Sequence, residues 1–440
     1  MHRSKASLLT LAVASVVVVA AACGDLFSVQ SPGRIADQNL DNEGAIPGIV
    51  VGMSNRIANI MGSSGDNMVI FSSLVDGEMY HGGSYAWAQV PDGLVEPEDM
   101  GANWGGAQVA RWTAEAGIQR MRDSILSDAD FHDNPYVARA FMYASLANRI
   151  LGENMCTAVF DGGSAEPAAA YFTRGIDEAD SAIAIGGSSG ATEAVQAAYG
   201  ARASMEAWMG DWTQAMADAQ NVPDDFVFSA ALQLPSPDND FQYETYSRYE
   251  YTVYGTFMSD SGRAAVEDMD GPAWSAAHDS DPRAPWTILT NPDGSVTRGA
   301  NGQTPMYQQD KYQAADSDIP LVKGTEMLLL RAEGQLRVNS DIGAAYALMN
   351  QARDVYGMSH LTAPSDMATA WKDLHYERAA TVWLEARHLW DVTRWYNETG
   401  PMHSEAIADR DQCLPPSKSE LDSNSDLSGY SVSHPLTRQQ

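Results

Sequence analysis

The chain has 440 residues, 44% hydrophobic and 19% charged, the balance of a folded globular protein and not of a disordered one. Lys and Arg number 27 against 58 Asp and Glu, for a formal net charge of −31. A field of that sign repels phosphate backbones and anionic headgroups and offers no cationic stripe, which argues against nucleic-acid binding.

Arg3 and Lys5 precede an unbroken small or apolar run over 8–22. That run is short for a bilayer span but has the length of a signal-peptide core, so 1–22 read as a signal peptide. The following Ala20-Ala21-Ala22-Cys23-Gly24 is similar to a bacterial lipobox, with Ala20 where Leu is usual. This reading makes Cys23 an acylated N-terminus and 23–40 a lipid-anchored tether; several acyl chains hold a protein firmly to a membrane. The other reading is an ordinary Ala20-x-Ala22 cleavage site with Cys23 incidental. If Cys23 is acylated, Cys156 and Cys413 are left as a pair in an oxidising compartment. They read either as a disulfide tying the C-terminal tail to the middle of the chain or as two unrelated thiols.

Helical spacing dominates 41–223. Ile46, Ile49, Val50, Met53, Ile57 and Ile60 mark a first helix over 43–61, and Val109, Trp112, Ile118, Met121 and Ile125 a second over 108–126. Asn134-Pro135 opens a third over 136–151, since Pro suits the first helical position. A fourth follows over 168–185. The Ala-rich stretch 191–209 ends in Gly210-Asp211-Trp212, and a short helix with Ala215 and Ala219 comes next. The same design recurs at 325–338, where Asn339-Ser340-Asp341 leads into a helix with Ala344, Ala345, Leu348 and Ala352. Two small-faced helices around a tight turn form a tetratricopeptide-like unit, and stacked units bury a common core. The fold class is therefore mainly α, a superhelix of helical pairs, with 41–440 as one compact unit.

Between the repeat parts 41–223 and 321–400 lies an insert, 224–320, rich in Pro, Gly, Asp and aromatics. Trp286-Thr287-Ile288-Leu289-Thr290, then Asn-Pro-Asp-Gly, then Ser295-Val296-Thr297 reads as a hairpin. An insert this long and loop-rich is expected to be functional. A tail, 401–440, closes the chain.

Catalytic patterns are decoys. Gly186-Gly187-Ser188-Ser189-Gly190 fits G-x-S-x-G, but it follows a helical stretch where a nucleophile elbow needs a strand, so it reads as a linker. No H-E-x-x-H, Cys-x-x-Cys or Walker loop occurs, and the nine histidines are scattered. Asp268-Met269-Asp270-Gly271 and Asp238-Asn239-Asp240 are oxygen-rich but lack EF-hand spacing and read as solvated turns. Neither an enzyme activity, a metal nor a cofactor is expected.

Glu326-Met-Leu-Leu-Leu-Arg331-Ala332-Glu333, Asp341-x-x-Ala344, Asn350-x-x-Arg353, Glu377-Arg378 and Glu385-Ala-Arg387-His-Leu-Trp390-Asp391-x-x-Arg394-Trp395 follow in order. As a set they resemble the SusD/RagB family of outer-membrane nutrient-binding lipoproteins. The start is also similar, with Asp25-Leu26-Phe27 and Ser31-Pro32-Gly33-x-Ile35, and so is Leu414-Pro near the end. The resemblance implies a SusD-like superhelix and an anchored protein at the cell surface, seated over a SusC-like TonB-dependent barrel and delivering oligosaccharide or peptide to it. A periplasm-facing scaffold lipoprotein is the alternative. In the motif itself, Val382, Ala386 and Leu389 fall on one helical stripe and Trp383, Arg387, Trp390 and Arg394 on another. Glu377, Arg378, Glu385 and Arg387 read as a structural charge network. Ligand residues are not carried by the motif, so loop aromatics are nominated: Tyr80, Tyr85, Trp87 and Trp104 before the second long helix, and Trp274 and Trp286, with Tyr307 and Tyr312, in the insert.

Overall fold

The computed structural model describes residues 37–63, 67–84, 90–256, 281–432 and 434. Cys23 and the tether up to residue 36 lie outside them. Two compact units divide the chain, 1–45 and 46–440. Within the first, the described residues form two short 3-10 turns, Asp37–Leu40 and Glu43–Ala45.

The second unit is mainly helical. Its first helix, α1 (Ile46–Ala58), turns Ile46, Val50, Met53 and Ile57 inward and runs on into a wide turn, Asn59–Ser63. After α2 (Met68–Val75) comes α3 (Gly101–Arg120), which packs on α1. A one-turn α4 (Asp128–Phe131) leads to α5 (Pro135–Asn154), where Asn134 accepts the Tyr136 amide at 2.9 Å and Pro135 occupies the first turn. Helix α5 is buried along most of its length between α3 and α6 (Ala169–Ser189). The approach to α6 is close: a Cβ on Gly152 would lie 2.4 Å from the Phe172 ring. The remaining pairs are α7 (Thr192–Trp208) with α8 (Trp212–Ala219), and, beyond α9 (Asp240–Tyr246), α10 (Gly324–Gly334) with α11 (Ile342–Val355). Asp211 and Asp341 cap α8 and α11 by accepting the amides of Gln214 and Ala344. Each pair packs on the next, which is the expected superhelix. A second apolar core, with Leu329, Leu336, Met349 and Trp371, fills the space between α10, α11 and α12 (Met367–Thr381). Helices α13 (His388–Tyr396) and α14 (Lys418–Ser423) complete the set among the described residues. Among the described residues, no helix is long and apolar enough to cross a membrane.

Antiparallel strands, Val227–Ala230 and Ile319–Lys323, pair at the base of the insert and bring its two ends together. Cys156 and Cys413 form a disulfide, flanked by a bridge between Met155 and Leu414.

Three sequence expectations are corrected. The 382–394 stretch is not one helix: α12 stops at Thr381 and α13 starts at His388, with Leu384 and Ala386 both at φ +56° between them. Tertiary contacts hold this break, because the Leu384 amide donates to Glu78 (3.1 Å) and the Glu385 carboxylate is taken by Lys311 and Lys323, each at 2.6 Å. Residues 186–189 are not a linker but the last turn of α6, which Gly190 ends at φ +75°. The Trp286 strand does not pair with 295–297 over its length. It pairs with Tyr307–Gln309, while the Asn-Pro-Asp-Gly turn is closed by a bridge between Thr290 and Val296.

The motif residues form buried ion pairs between helices. Arg387 reaches Glu326 at 2.6 Å and Glu153 at 2.9 Å. Arg378 holds Asp391 with two bonds of 2.8 and 3.0 Å, and Arg394 joins Asp391 (2.8 Å) to Glu333 (2.6 Å). Glu377 lies between Arg283 (2.6 Å) and Arg353 (2.5 Å). Burial alone would raise the Glu333 and Asp391 carboxyls, but the surrounding arginines more than offset it and hold both below their usual range.

Candidate functional site: an aromatic sheet on the insert

Four short segments from distant parts of the chain lie side by side. Tyr80–His81 pairs antiparallel with Tyr251–Thr252. The Tyr307 amide donates to Thr252 Oγ1 at 2.8 Å, and the Val253 amide to the Tyr307 carbonyl at 2.8 Å. Tyr307–Gln309 then pairs with Trp286–Ile288. Thr252 is the hinge of this arrangement, since its hydroxyl also accepts the Tyr254 amide (3.1 Å) and donates to the Pro305 carbonyl (3.0 Å).

The result is a group of half-buried rings. Trp286 and Tyr307 are parallel to within 2° with centroids 5.3 Å apart, and Tyr254 stands edge-on to Tyr307 at 84° and 5.3 Å. Offset stacking and edge contact are the favoured geometries for aromatic quadrupoles. Polar handles border the rings: Asp310 accepts from the Tyr246 hydroxyl at 3.1 Å and from Thr287 at 2.5 Å. Burial, with Asp310 beside it, pushes the Tyr246 hydroxyl up to about 12, so it remains a donor at any physiological pH. At the opposite border, buried Glu250 accepts the Ser84 amide at 2.8 Å and lies 3.9 Å from His81, whose pKa burial lowers. Gly83 permits this closeness, because a Cβ there would lie 1.7 Å from Glu250 Oε2. Apolar ring faces rimmed by hydroxyls and carboxylates suit ligands that are both flat-faced and polar.

The nominated residues divide three ways. Tyr80 and Trp286, 206 positions apart in the sequence, come onto two adjacent two-stranded sheets that the Thr252 and Val253 hydrogen bonds to Tyr307 join. Tyr85, Trp87 and Trp274 lie outside the described residues. Trp104 is withdrawn: it sits on α3 at 1% exposure, with its indole N–H toward Glu420 at 3.3 Å, and presents no face to a ligand. Tyr312 is likewise buried, its hydroxyl donating to the Leu384 carbonyl at 2.9 Å. Sequence reasoning missed Tyr254, Tyr246 and Asp310, and only the aromatic density of 243–254 hinted at them.

A separate cavity of about 450 Å³ opens among α3, α5 and α6, lined by Trp112, Glu115, Arg122, Arg174 and Glu178. Burial, aided by Glu115, raises Glu178 to about 8.

A sequence profile of the SusD family matches residues 188–412. Among solved structures, a SusD/RagB family protein from Bacteroides thetaiotaomicron is similar at 12% identity and a TM-score of 0.62, over 86% of this chain and 94% of that one. Surface glycan-binding protein A from Bacteroides uniformis is similar at 14% identity and 0.60, over 87% and 98%. A SusD-like carbohydrate binding protein from Bacteroides vulgatus is similar at 13% identity and 0.55, over 79% and 82%. At these identities the structural likeness establishes the fold. None of the curated proteins matches the sequence.

Proposed function

The chain belongs to the SusD family, and from that premise we propose that it is a surface lipoprotein that binds oligosaccharide or peptide nutrients and passes them, uncleaved, to a SusC-like TonB-dependent barrel. The observation that carries the reading is the aromatic sheet of Trp286, Tyr307 and Tyr254 with Asp310 and Tyr246 at its edge. Ring faces stack on the C–H faces of sugars or on planar side chains, and the rim supplies the hydrogen bonds that orient them. Two structural relatives are described as carbohydrate or glycan binding, which supports the oligosaccharide branch. Tyr80, Trp286, Tyr307 and Tyr254 are the proposed ligand residues, and Cys23 the acylated anchor.

The test is an affinity pull-down from detergent-solubilised outer membranes of the native host. Recovery of a large TonB-dependent barrel supports the reading. Recovery of the chain alone, or with periplasmic proteins, sinks the transport role and favours a scaffold. Replacement of Cys23 by Ser should release the protein from membranes, and unchanged attachment would remove the anchor from the proposal.

A further inference from the structure

Helix α2 ends at Asp76, and Gly77 at φ +84° turns the chain so that Asp76 and Glu78 face the same interior point. His388, the first residue of α13, approaches from the other side. The three residues are 4%, 0% and 1% exposed, and one donor atom from each lies within 4.8 Å of the other two. Each carboxylate uses one oxygen to accept a backbone amide: Asp76 Oδ1 takes Glu78 N–H at 2.9 Å and Glu78 Oε2 takes Leu384 N–H at 3.1 Å. The second oxygens, Asp76 Oδ2 and Glu78 Oε1, are fully buried and make no hydrogen bond of ordinary geometry, the His388 imidazole being the ion-pair neighbour of Asp76 Oδ2. Orphaned carboxylate oxygens in a dry interior are costly, and outer hydrogen bonds that fix one oxygen while leaving its twin for the centre are how metal ligands are held.

The neighbouring cations are spent elsewhere. Lys311 and Lys323 both bind Glu385 Oε1, and Arg410 donates to the carbonyls of Leu74 and Val75. One spacing bears on the choice between a shared proton and a cation. A charge-assisted hydrogen bond would draw its heavy atoms to about 2.5–2.9 Å, whereas His388 Nδ1 stands 3.4 Å from Asp76 Oδ2. Ligands about 2.0–2.1 Å from a tetrahedral ion are about 3.3 Å apart.

We propose that Asp76, Glu78 and His388 form a structural divalent-cation site of the zinc class, with one imidazole nitrogen, two carboxylate oxygens and water as the fourth ligand. An imidazole in the set favours zinc over magnesium or calcium. The ion ties α2 to α13 across the break at 382–387 and is taken up as the chain folds, since the finished site is closed to solvent.

The experiment is elemental analysis of the full chain, produced with zinc in the medium and purified without a metal-affinity step. It is followed by thermal melting with and without dipicolinate. A stoichiometric equivalent of zinc and a melting point lowered by the chelator are expected. Asp76→Asn and Glu78→Gln, close in shape to the originals, should fold with unchanged helical content, lose the metal and lose the chelator effect. Wild-type chain without stoichiometric metal, and with a melting point indifferent to dipicolinate and to added zinc, overturns the proposal. So does a doubly substituted chain that retains its zinc. A Glu78→Gln chain that melts above a metal-free wild type would assign the cluster to a shared proton instead.

Discussion

The motif-bearing region around α10, α12 and α13 and the aromatic sheet of the insert are built on opposite principles. In the first, charged side chains are buried, paired and shared between helices, so that Arg387, Arg378 and Arg394 each satisfy carboxylates from other segments. In the second, apolar rings are left half-exposed and the charges stand at the rim. The residues that identify the family are structural, and the residues proposed to meet a ligand are ones the family motif does not contain. On the proposed reading, identity and specificity reside in different parts of one molecule.

The strongest way to break that contrast is Arg387→Ala. It strands Glu326 in the interior and leaves Glu153 with Trp208 and Arg149, and should cost about 3–5 kcal/mol by denaturant unfolding. A loss under about 1 kcal/mol would mean that the network is decorative. Removing the disulfide by Cys156→Ser with Cys413→Ser should cost about 2–4 kcal/mol. The free-thiol count before and after reduction checks the bond directly.

The buried acids themselves divide by sign. Glu333 is lowered by its arginines, so its contribution is present above the unfolded value of 4.5 and fades as pH falls below it. Glu178 is raised to about 8, so the stability it brings is full below about 4.5 and lost as pH climbs towards 8. Glu178→Gln should flatten the melting profile over that window and stabilise the chain at its upper end by a few kcal/mol at most, on the order of the linkage limit. An unchanged slope would show that Glu178 is ionised in the fold. Trp286→Ala should have the smallest effect on folding, about 1 kcal/mol for a lost stacked pair. It should nonetheless weaken ligand binding tenfold or more, as loss of a central aromatic does. Equal binding by the variant would move the site off this sheet.

Much of the scaffold was legible because local signals agree with the final packing. Asn134, Asp211 and Asp341 announce helix starts that the structure uses as caps, and the Ala spacing of α7 and α11 marks faces that must approach closely. The break at 382–387 was not legible. Its residues are fair helix formers, and what stops the helix comes from Glu78, Lys311 and Lys323, far away in sequence. Trp104 misled for the reverse reason: it was nominated as a loop residue ahead of a helix over 108–126, yet that helix, α3, already begins at Gly101. Tyr80 and Trp286 were nominated in separate groups because their segments are joined through Thr252 and Val253, residues without any sequence signal.

The bond between Cys156 and Cys413 joins residues 257 positions apart, and its loop takes in the whole insert and the pairs α7 with α8 and α10 with α11. A protease that cuts once inside that span, even in a surface loop, opens a loop but releases nothing, because both halves stay joined through sulfur. Such a nicked chain would run as one species until reduced. For a protein proposed to work outside the cell, among enzymes that degrade polymers, the covalent loop separates being cut from being lost.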